Sequence, residues 1–318
     1  MVASTGFCVV RARDGVSHPS YLFHSLMSNR VTAQAVRDAI GSSYPALNDS
    51  DVKRFQIFLP PYREQQKVAQ VLDTLDTAIH ETEAIIAKLK AVKQGLLYDL
   101  LTRGIDANGE LRPPQADAPQ LYKDSPLGWI PKEWDAVSIY ELASNLDGKK
   151  VPIKEGFRRT GVFPYYGASG VIDWVDSFLF DGDYVLLGED GENVVSRRLP
   201  LAFRATGKIW VNNHAHVFEP KRGVDVRFLV ELMEAKDYGP WISGSAQPKI
   251  TQEGLSRILF MKPPSGEQAV IGERLDVLQG RIEQEQLGLS KLQTSKLGLM
   301  DDLLTGRVRV TPLLEGAP

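Results

Sequence analysis

The chain carries a second copy of part of itself, and this constrains its fold more than any other feature. The segment GSSYPALNDSDVKRFQIFLPPYREQQKVAQVLDTLDTAI begins at Gly41 and aligns without a gap with GSAQPKITQEGLSRILFMKPPSGEQAVIGERLDVLQGRI, which begins at Gly244, an offset of 203 residues. Pro60-Pro61 falls on Pro263-Pro264, Glu64-Gln65 on Glu267-Gln268, and Leu72-Asp73 on Leu275-Asp276. The match continues to Asp99-Leu100-Leu101-Thr102 over Asp302-Leu303-Leu304-Thr305. Two unrelated helices would not hold Gly-Ser, Pro-Pro and Glu-Gln in one register, so the chain contains a duplicated unit. The second unit runs from about 122 to 307; residues 1–40 correspond loosely, with a small gap, to about 212–242, and nothing corresponds to 122–210. The expectation is about one and a half units, with roughly 90 residues missing from the front of the first.

Each unit ends in a long helix. Val68, Leu72, Leu75, Ile79, Ile86, Leu89, Leu96 and Leu100 step by three and four, with Thr82 and Lys93 interposed. The copies are Ile271, Leu275, Leu278, Ile282, Leu289, Leu292, Leu299 and Leu303, with Glu285 and Lys296 interposed. A sustained 3.5-residue period is a coiled-coil seam, and polar seam positions fix register at some cost in stability. A long helix lying on its own domain's core is the plainer alternative. The proline pairs mark the helix starts, and Gly104 or Gly306 can end each helix. Residues 104–120 form a turn-rich linker with no periodicity. Between Trp134 and Pro264, short apolar runs broken by Gly, Asp and Asn predict a mostly β domain with a helix at about 227–235.

Composition then narrows the function. At roughly 150 residues per domain, 318 residues suggest two globular units. No run approaches the ~18 apolar residues of a membrane span, and the N-terminus has no signal-peptide pattern. Cys8 is the single cysteine, which excludes an intrachain disulfide and a Cys-rich zinc site. These features point to the cytoplasm. The net charge of −3 argues against nonspecific coating of nucleic acid.

Catalytic motifs are absent or broken. Gly156 and Gly161 have phosphate-loop spacing, but Val162 stands where lysine belongs. No G-x-G-x-x-G turn offers a seat for a dinucleotide or S-adenosylmethionine. Leu59-Pro60-Pro61-Tyr62 resembles an amino-methyltransferase element, yet leucine cannot hydrogen-bond a target amine. The carboxylates Asp173, Asp176, Asp181, Asp183, Glu189, Asp190 and Glu192 miss Ca²⁺-loop spacing, and Asp181-Gly182-Asp183 reads as a turn. His214 and His216 share a strand face but lack a third ligand, so no metal site is expected.

Charge is segregated instead. Lys149, Lys150, Lys154, Arg158 and Arg159 stand against one Glu155, and Arg197, Arg198, Arg204, Lys208, Lys221 and Arg222 against one Glu219. Tyr165, Tyr166, Ser169, Asn212, Asn213, His214, Gln247 and Lys249 are interleaved with them or follow them. Lys and Arg suit phosphates, while Arg, Asn and Gln suit base edges. An ordinary mixed-charge β surface is the plainer alternative.

These landmarks resemble the specificity subunit of type I restriction–modification enzymes. The residues that carry the resemblance are Leu59-Pro60-Pro61-x-x-Glu64-Gln65 and its copy Pro263-Pro264-x-x-Glu267-Gln268. Others are Tyr122-Lys123-Asp124-Ser125-Pro126-Leu127-Gly128-Trp129-Ile130-Pro131 with Trp134, Tyr165-Tyr166-Gly167-Ala168-Ser169-Gly170 through Gly188-Glu189-Asp190-Gly191, and Gly244-Ser245-Ala246-Gln247-Pro248. The resemblance implies an α+β chain: mostly-β target-recognition domains joined by two long helices in an antiparallel coiled coil. A helix of about 40 residues is roughly 60 Å long, a spacer between two DNA half-sites.

On that pattern 1–58 is the C-terminal remnant of a first recognition domain, 60–103 the first spacer helix and 104–120 a linker. The second recognition domain is 121–262, the second spacer helix 263–306, and 307–318 a tail. The resemblance implies DNA address without catalysis. The DNA-contact candidates are Lys149, Lys150, Arg158, Arg159, Tyr165, Tyr166, Ser169, Arg197, Arg198, Arg204, Asn212, Asn213, His214, Gln247 and Lys249. Cofactors would be absent from this chain; S-adenosylmethionine, ATP and Mg²⁺ would belong to modification and motor-nuclease partners. The missing front implies that one half-site is not read by this chain alone; a truncated gene product, a misassigned start, and a partnership with a separate complementary fragment or second copy all stay open as its origin. Two other functions stay open at this point: the specificity subunit of a related system with a different nuclease, and a coiled-coil assembly protein with no DNA role.

Overall fold

A computed structural model describes residues 8–41, 45–244 and 247–314. Ser245 and Ala246 of the second Gly-Ser landmark, Ser42 and Ser43 of the first, residues 1–7 of the expected remnant at 1–58 and residues 315–318 of the expected tail at 307–318 lie outside the described residues. The chain divides into two compact units, Met1–Leu89 with Ile282–Pro318, and Lys90–Arg281.

In the first unit, helix α1 (Pro19–Leu26) is followed by α2 (Asn29–Asp38), capped by the Ser28 hydroxyl, which accepts the Val31 N–H at 3.4 Å. The single turn α3 (Asp49–Val52) begins where the Asn48 N–H donates to Asp51 at 2.8 Å. Helix α4 (Tyr62–Thr102) starts directly after Pro60-Pro61. Proline removes donors there that a helix start would leave unpaired anyway.

The second unit contains β1 (Tyr122–Lys123), β2 (Ile130–Pro131), β3 (Asp135–Ser138), α5 (Ile139–Leu142), β4 (Ala143–Asn145), β5 (Thr160–Gly167), β6 (Gly170–Val175) and β7 (Phe180–Gly188). It continues through α6 (Asn193–Ser196), β8 (Ala202–Val211), β9 (Ala215–Pro220), α7 (Val226–Glu234), β10 (Ile242–Ser243), β11 (Lys249–Ile250), α8 (Gln252–Ser256) and β12 (Leu259–Lys262) into α9 (Ser265–Leu303). Six strands form one sheet in the order β4-β9-β7-β8-β5-β6, antiparallel throughout except for the parallel pair β5–β8. The expected turn at Asp181-Gly182-Asp183 is not one. It opens strand β7, with Asp181 opposite Lys208 and Gly182 opposite Gly207, and the Arg204 guanidinium reaches Asp183 at 3.1 Å. Cross-strand cations and a facing glycine keep a turn-like tripeptide in the ladder.

Alternation along β7 serves both sheet faces. Val185 and Leu187 join a core with α5, α7 and the long helices, through Phe228, Leu229, Leu97, Leu100, Ile271 and Leu275. Tyr184 and Leu186 join a second core with Ile209, Val211, Ala215 and Val217. Asp225 caps α7 by accepting the Arg227 and Phe228 N–H groups, which sets the angle at which its apolar face meets the sheet.

The seam forms as its period requires. Val68, Leu72, Ile86, Leu100, Ile271, Leu275, Ile282 and Leu303 are buried; Leu75, Ile79, Leu89, Leu96, Leu278, Leu289, Leu292 and Leu299 are half-buried. In the first unit Val68, Ala69 and Leu72 pack with Tyr21 against Met300, Leu303 and Leu304. In the second unit Leu97 and Leu100 share a core with Ile271 and Leu275. The start of each helix therefore meets the end of the other, and the pairing is antiparallel. The polar seam positions are satisfied. Thr82 donates to the Ala78 carbonyl at 2.7 Å, Lys93 Nζ reaches Gln279 at 3.0 Å and Glu231 at 2.6 Å, and Lys296 Nζ bonds Asp76. Gln279 and Asp76 are repeat equivalents, so the two lysines make the same cross-helix contact.

The Glu-Gln landmark has a use that periodicity alone does not reveal. Gln65 and Gln268 each donate to the first proline of their own pair, at 2.9 Å and 2.7 Å. Glu267 accepts Arg112 at 2.5 and 3.0 Å, the Trp134 indole N–H at 3.0 Å and the Ile105 N–H at 2.8 Å. Glu64 accepts Arg309 at 2.9 and 2.6 Å. The segment expected as a linker at 104–120 is thus folded against the start of α9. Gly104 (φ +63) ends α4, and any side chain there would run into Glu267, Trp134 and Arg112.

Candidate nucleic-acid interface

Four segments of the second unit converge: the β5–β6 turn, the segment after β7, the β8–β9 turn and residues 247–250 leading into β11. The Asn212 N–H donates to Tyr166 O at 3.0 Å, and the Glu189 N–H to His214 O at 2.9 Å. The Gly191 N–H reaches Pro248 O at 3.2 Å, and the Ile250 N–H reaches Glu189 O at 2.8 Å. A side chain at Gly188 would meet the Ala168 carbonyl, so the β5–β6 turn closes directly on the end of β7. This cluster gathers Ser169, Asn212, Asn213, His214, Gln247 and Lys249 from stretches far apart in the chain.

Their exposure sorts them. Ser169, Asn213 and Gln247 are exposed. The His214 side chain is 45% exposed with Nδ1 on Asp190 at 2.8 Å, and Lys249 is 44% exposed with Nζ on Glu189 at 2.8 Å. Lys149 and Arg159 are exposed; Lys149 adjoins Lys150, whose Nζ reaches Glu189 at 3.2 Å, whereas Arg159 stands at the far end of the β5–β6 hairpin from its turn, where its carbonyl accepts the Asp176 N–H at 3.0 Å. Tyr166 is half-buried and stacks on Phe203 at 6.0 Å.

The expectation that Lys150, Tyr165 and Asn212 face DNA does not hold. Lys150 Nζ is enclosed by Glu189 at 3.2 Å and the Ala215 carbonyl at 2.9 Å. Tyr165 is buried, and its hydroxyl accepts the Ile153 N–H at 3.0 Å. Asn212 is buried, and its side-chain oxygen accepts the His214 N–H at 2.7 Å. Each is consumed in shaping a loop. Arg158 lies over the Tyr165 ring at 4.6 Å and pairs with Asp173 at 3.2 Å. The structure does not bring Arg197 or Arg204 into the loop cluster contacts. Arg197 turns to Glu234 on α7 at 3.0 Å, and Arg204 is paired along the β7–β8 ladder; Arg198 is exposed.

Beneath the loops lies a group of charges that sequence patterning missed. Asp147 Oδ2 meets His216 Nδ1 at 2.5 Å, its Oδ1 accepts the Val217 N–H at 3.0 Å, and His216 Nε2 meets the Ile250 carbonyl at 2.8 Å. Burial alone would raise the Asp147 pKa, but the His216 contact, the Val217 N–H and Lys150 outweigh it and hold the carboxyl well below the usual range. Burial opposes ionisation of Glu189 too, and is outweighed by Lys249, His216 and Lys150, so its pKa is lowered. His214 and His216 serve different carboxylates and do not form a ligand pair. The available signal was Gly188-Glu189-Asp190-Gly191, an acidic pair held between glycines, but the partners of Glu189 lie 27 to 60 residues away in sequence. Among the described residues, no helix is long and apolar enough to cross a membrane.

The chain as a whole has counterparts among known proteins. The family model of the type I restriction modification DNA specificity domain matches residues 1–91 and 131–292. A Haemophilus influenzae protein designated a type I restriction enzyme specificity subunit is 31% identical over 159 residues, which make up 50% of this chain and 39% of that protein. The type I restriction enzyme MjaVIII specificity subunit of Methanocaldococcus jannaschii is 24% identical over 338 aligned residues, 98% of this chain and 75% of the relative. The crystal structure of a type I restriction–modification system S subunit from M. genitalium has the same fold, with a TM-score of 0.61 at 17% identity, covering 90% of this chain and 72% of that one.

Proposed function

The chain belongs to the family of type I restriction modification DNA specificity domains, and on that premise we propose that its second unit reads one half of a bipartite DNA target for a restriction–modification complex. The observation that carries this is the convergence of four segments presenting Ser169, Asn213, His214, Gln247 and Lys249 at one place. Exposed amide, imidazole and hydroxyl groups suit base edges, and the exposed cations Lys149 and Arg159 of the same unit suit phosphates. The chain supplies address and no chemistry. Adenine methylation belongs to modification subunits that bring S-adenosylmethionine, and cleavage to a motor-nuclease subunit that uses ATP and Mg²⁺. Both assemble with this chain in the cytoplasm.

Selection from a randomised duplex library with the full-length chain, followed by titration against salt, tests the proposal. A recovered consensus is expected, and Lys149→Ala and Arg159→Ala should each reduce the salt slope of binding by about 1 without changing the consensus. Asn213→Ala and Gln247→Ala should relax the consensus at single positions. Recovery of no consensus from a folded protein would sink the proposal.

A further inference from the structure

Asp147 and His216 are the two most enclosed ionisable partners in the second unit, with side chains 7% and 1% exposed, and neither can touch a ligand. Burying such a pair is costly, and apolar residues of the same volume often stabilise a fold equally well. Their placement suggests a purpose other than stability. Through His216 Nε2 the pair holds Ile250 at 2.8 Å, and through Asp147 Oδ2 it holds the Gln252 amide at 2.9 Å. Lys150 lies 3.4 Å from Asp147 and passes the connection to Glu189 at 3.2 Å, and Glu189 in turn holds Lys249 at 2.8 Å. The segments at 147–150, 189, 216–217 and 249–252 are therefore tied at one point, directly beneath the converging loops.

We infer that Asp147 and His216 are positioning residues for target recognition, fixing the segment at 249–252, with Lys249 and the adjoining Gln247, relative to the β8–β9 turn so that the exposed groups meet one base sequence. This rests on the function proposed above and deepens it. Loose loops would still meet phosphates, because a charge contact tolerates displacement. Hydrogen bonds to base edges do not tolerate it, since both distance and direction count. Loss of the pair should therefore erode discrimination while leaving general attraction intact.

The test uses the full-length chain with Asp147→Asn, His216→Asn and His216→Gln. Folding is followed by melting temperature, and binding by affinity for the selected duplex and for duplexes carrying single base-pair substitutions. His216→Asn shortens the side chain and gives up Ile250, whereas the longer His216→Gln retains a donor able to reach it. In Asp147→Asn and His216→Asn the affinity ratio should fall about tenfold, the size of one mismatch, with the salt slope unchanged. His216→Gln should recover much of that ratio, and amide exchange at 249–252 should quicken only in the first two variants. An unchanged ratio in folded variants with a lower melting temperature would make the pair structural only and overturn the inference. A wild-type chain with no preferred sequence would overturn the proposed function along with it.

Discussion

The same glutamate begins both long helices, and the two units treat it differently. Glu267 is enclosed: its side chain and that of Arg112 are 8% and 10% exposed, and Trp134 and the Ile105 N–H add further donors. Glu64 is equally covered at 8%, but its partner Arg309 is 47% exposed, and the added donor is the Thr311 hydroxyl at 3.3 Å. The duplicated motif is thus a keystone in one unit and a latch at the rim in the other. Pairing strength follows water access and not the motif itself, because an ion pair gains most where solvent neither screens nor replaces it.

The largest expected effect comes from breaking the enclosed copy. Glu267→Ala leaves Arg112 without its partner and should cost about 3–5 kcal/mol in urea unfolding. Glu64→Ala should cost a fraction of that, because Arg309 can turn to water; equal losses would break the comparison. Leu275→Ala and Leu72→Ala, both fully buried, should each cost about 2–5 kcal/mol. The second-unit variant should lose more, since its larger core closes around the cavity on more sides.

Acid titration sharpens the contrast. The Asp147 carboxyl is held below its ordinary value in the folded state, so it stabilises the second unit above the unfolded carboxylate range. That contribution fades as pH falls toward the folded value. The stability gap between wild type and Asp147→Asn should be full near neutrality and shrink progressively below about pH 4. A gap constant with pH would contradict the assignment. Smallest of all, Lys296→Met should change stability by no more than about 1 kcal/mol, because its partner Asp76 is 40% exposed and can turn to water.

Legibility in the sequence followed the range of the interaction. The seam from Val68 to Leu100 and its copy could be seen because helix pairing repeats every few residues. The helix at α7 and the β character between Trp134 and Pro264 were visible for the same reason. Asp181-Gly182-Asp183 misled because its local turn chemistry is overridden by partners on β8. The 104–120 stretch looked structureless because Arg112 finds Glu267 155 residues later. Among the DNA-contact candidates, residue type separated cations and amides from the rest. It could not separate Lys149, which is exposed, from Lys150, which is spent on Glu189 and Ala215. Neighbours in sequence take opposite sides of a surface, and only tertiary partners decide which.

The lysines in the seam have one more consequence. An apolar heptad pattern alone would allow two helices to slide past one another by a whole repeat and remain nearly as well packed. Lys93 beside Gln279 and Lys296 beside Asp76 remove that freedom, since a slip would strand both ammonium groups among leucines. Each unit's stretch of paired helices is therefore held in one register, which a leucine seam alone would leave open.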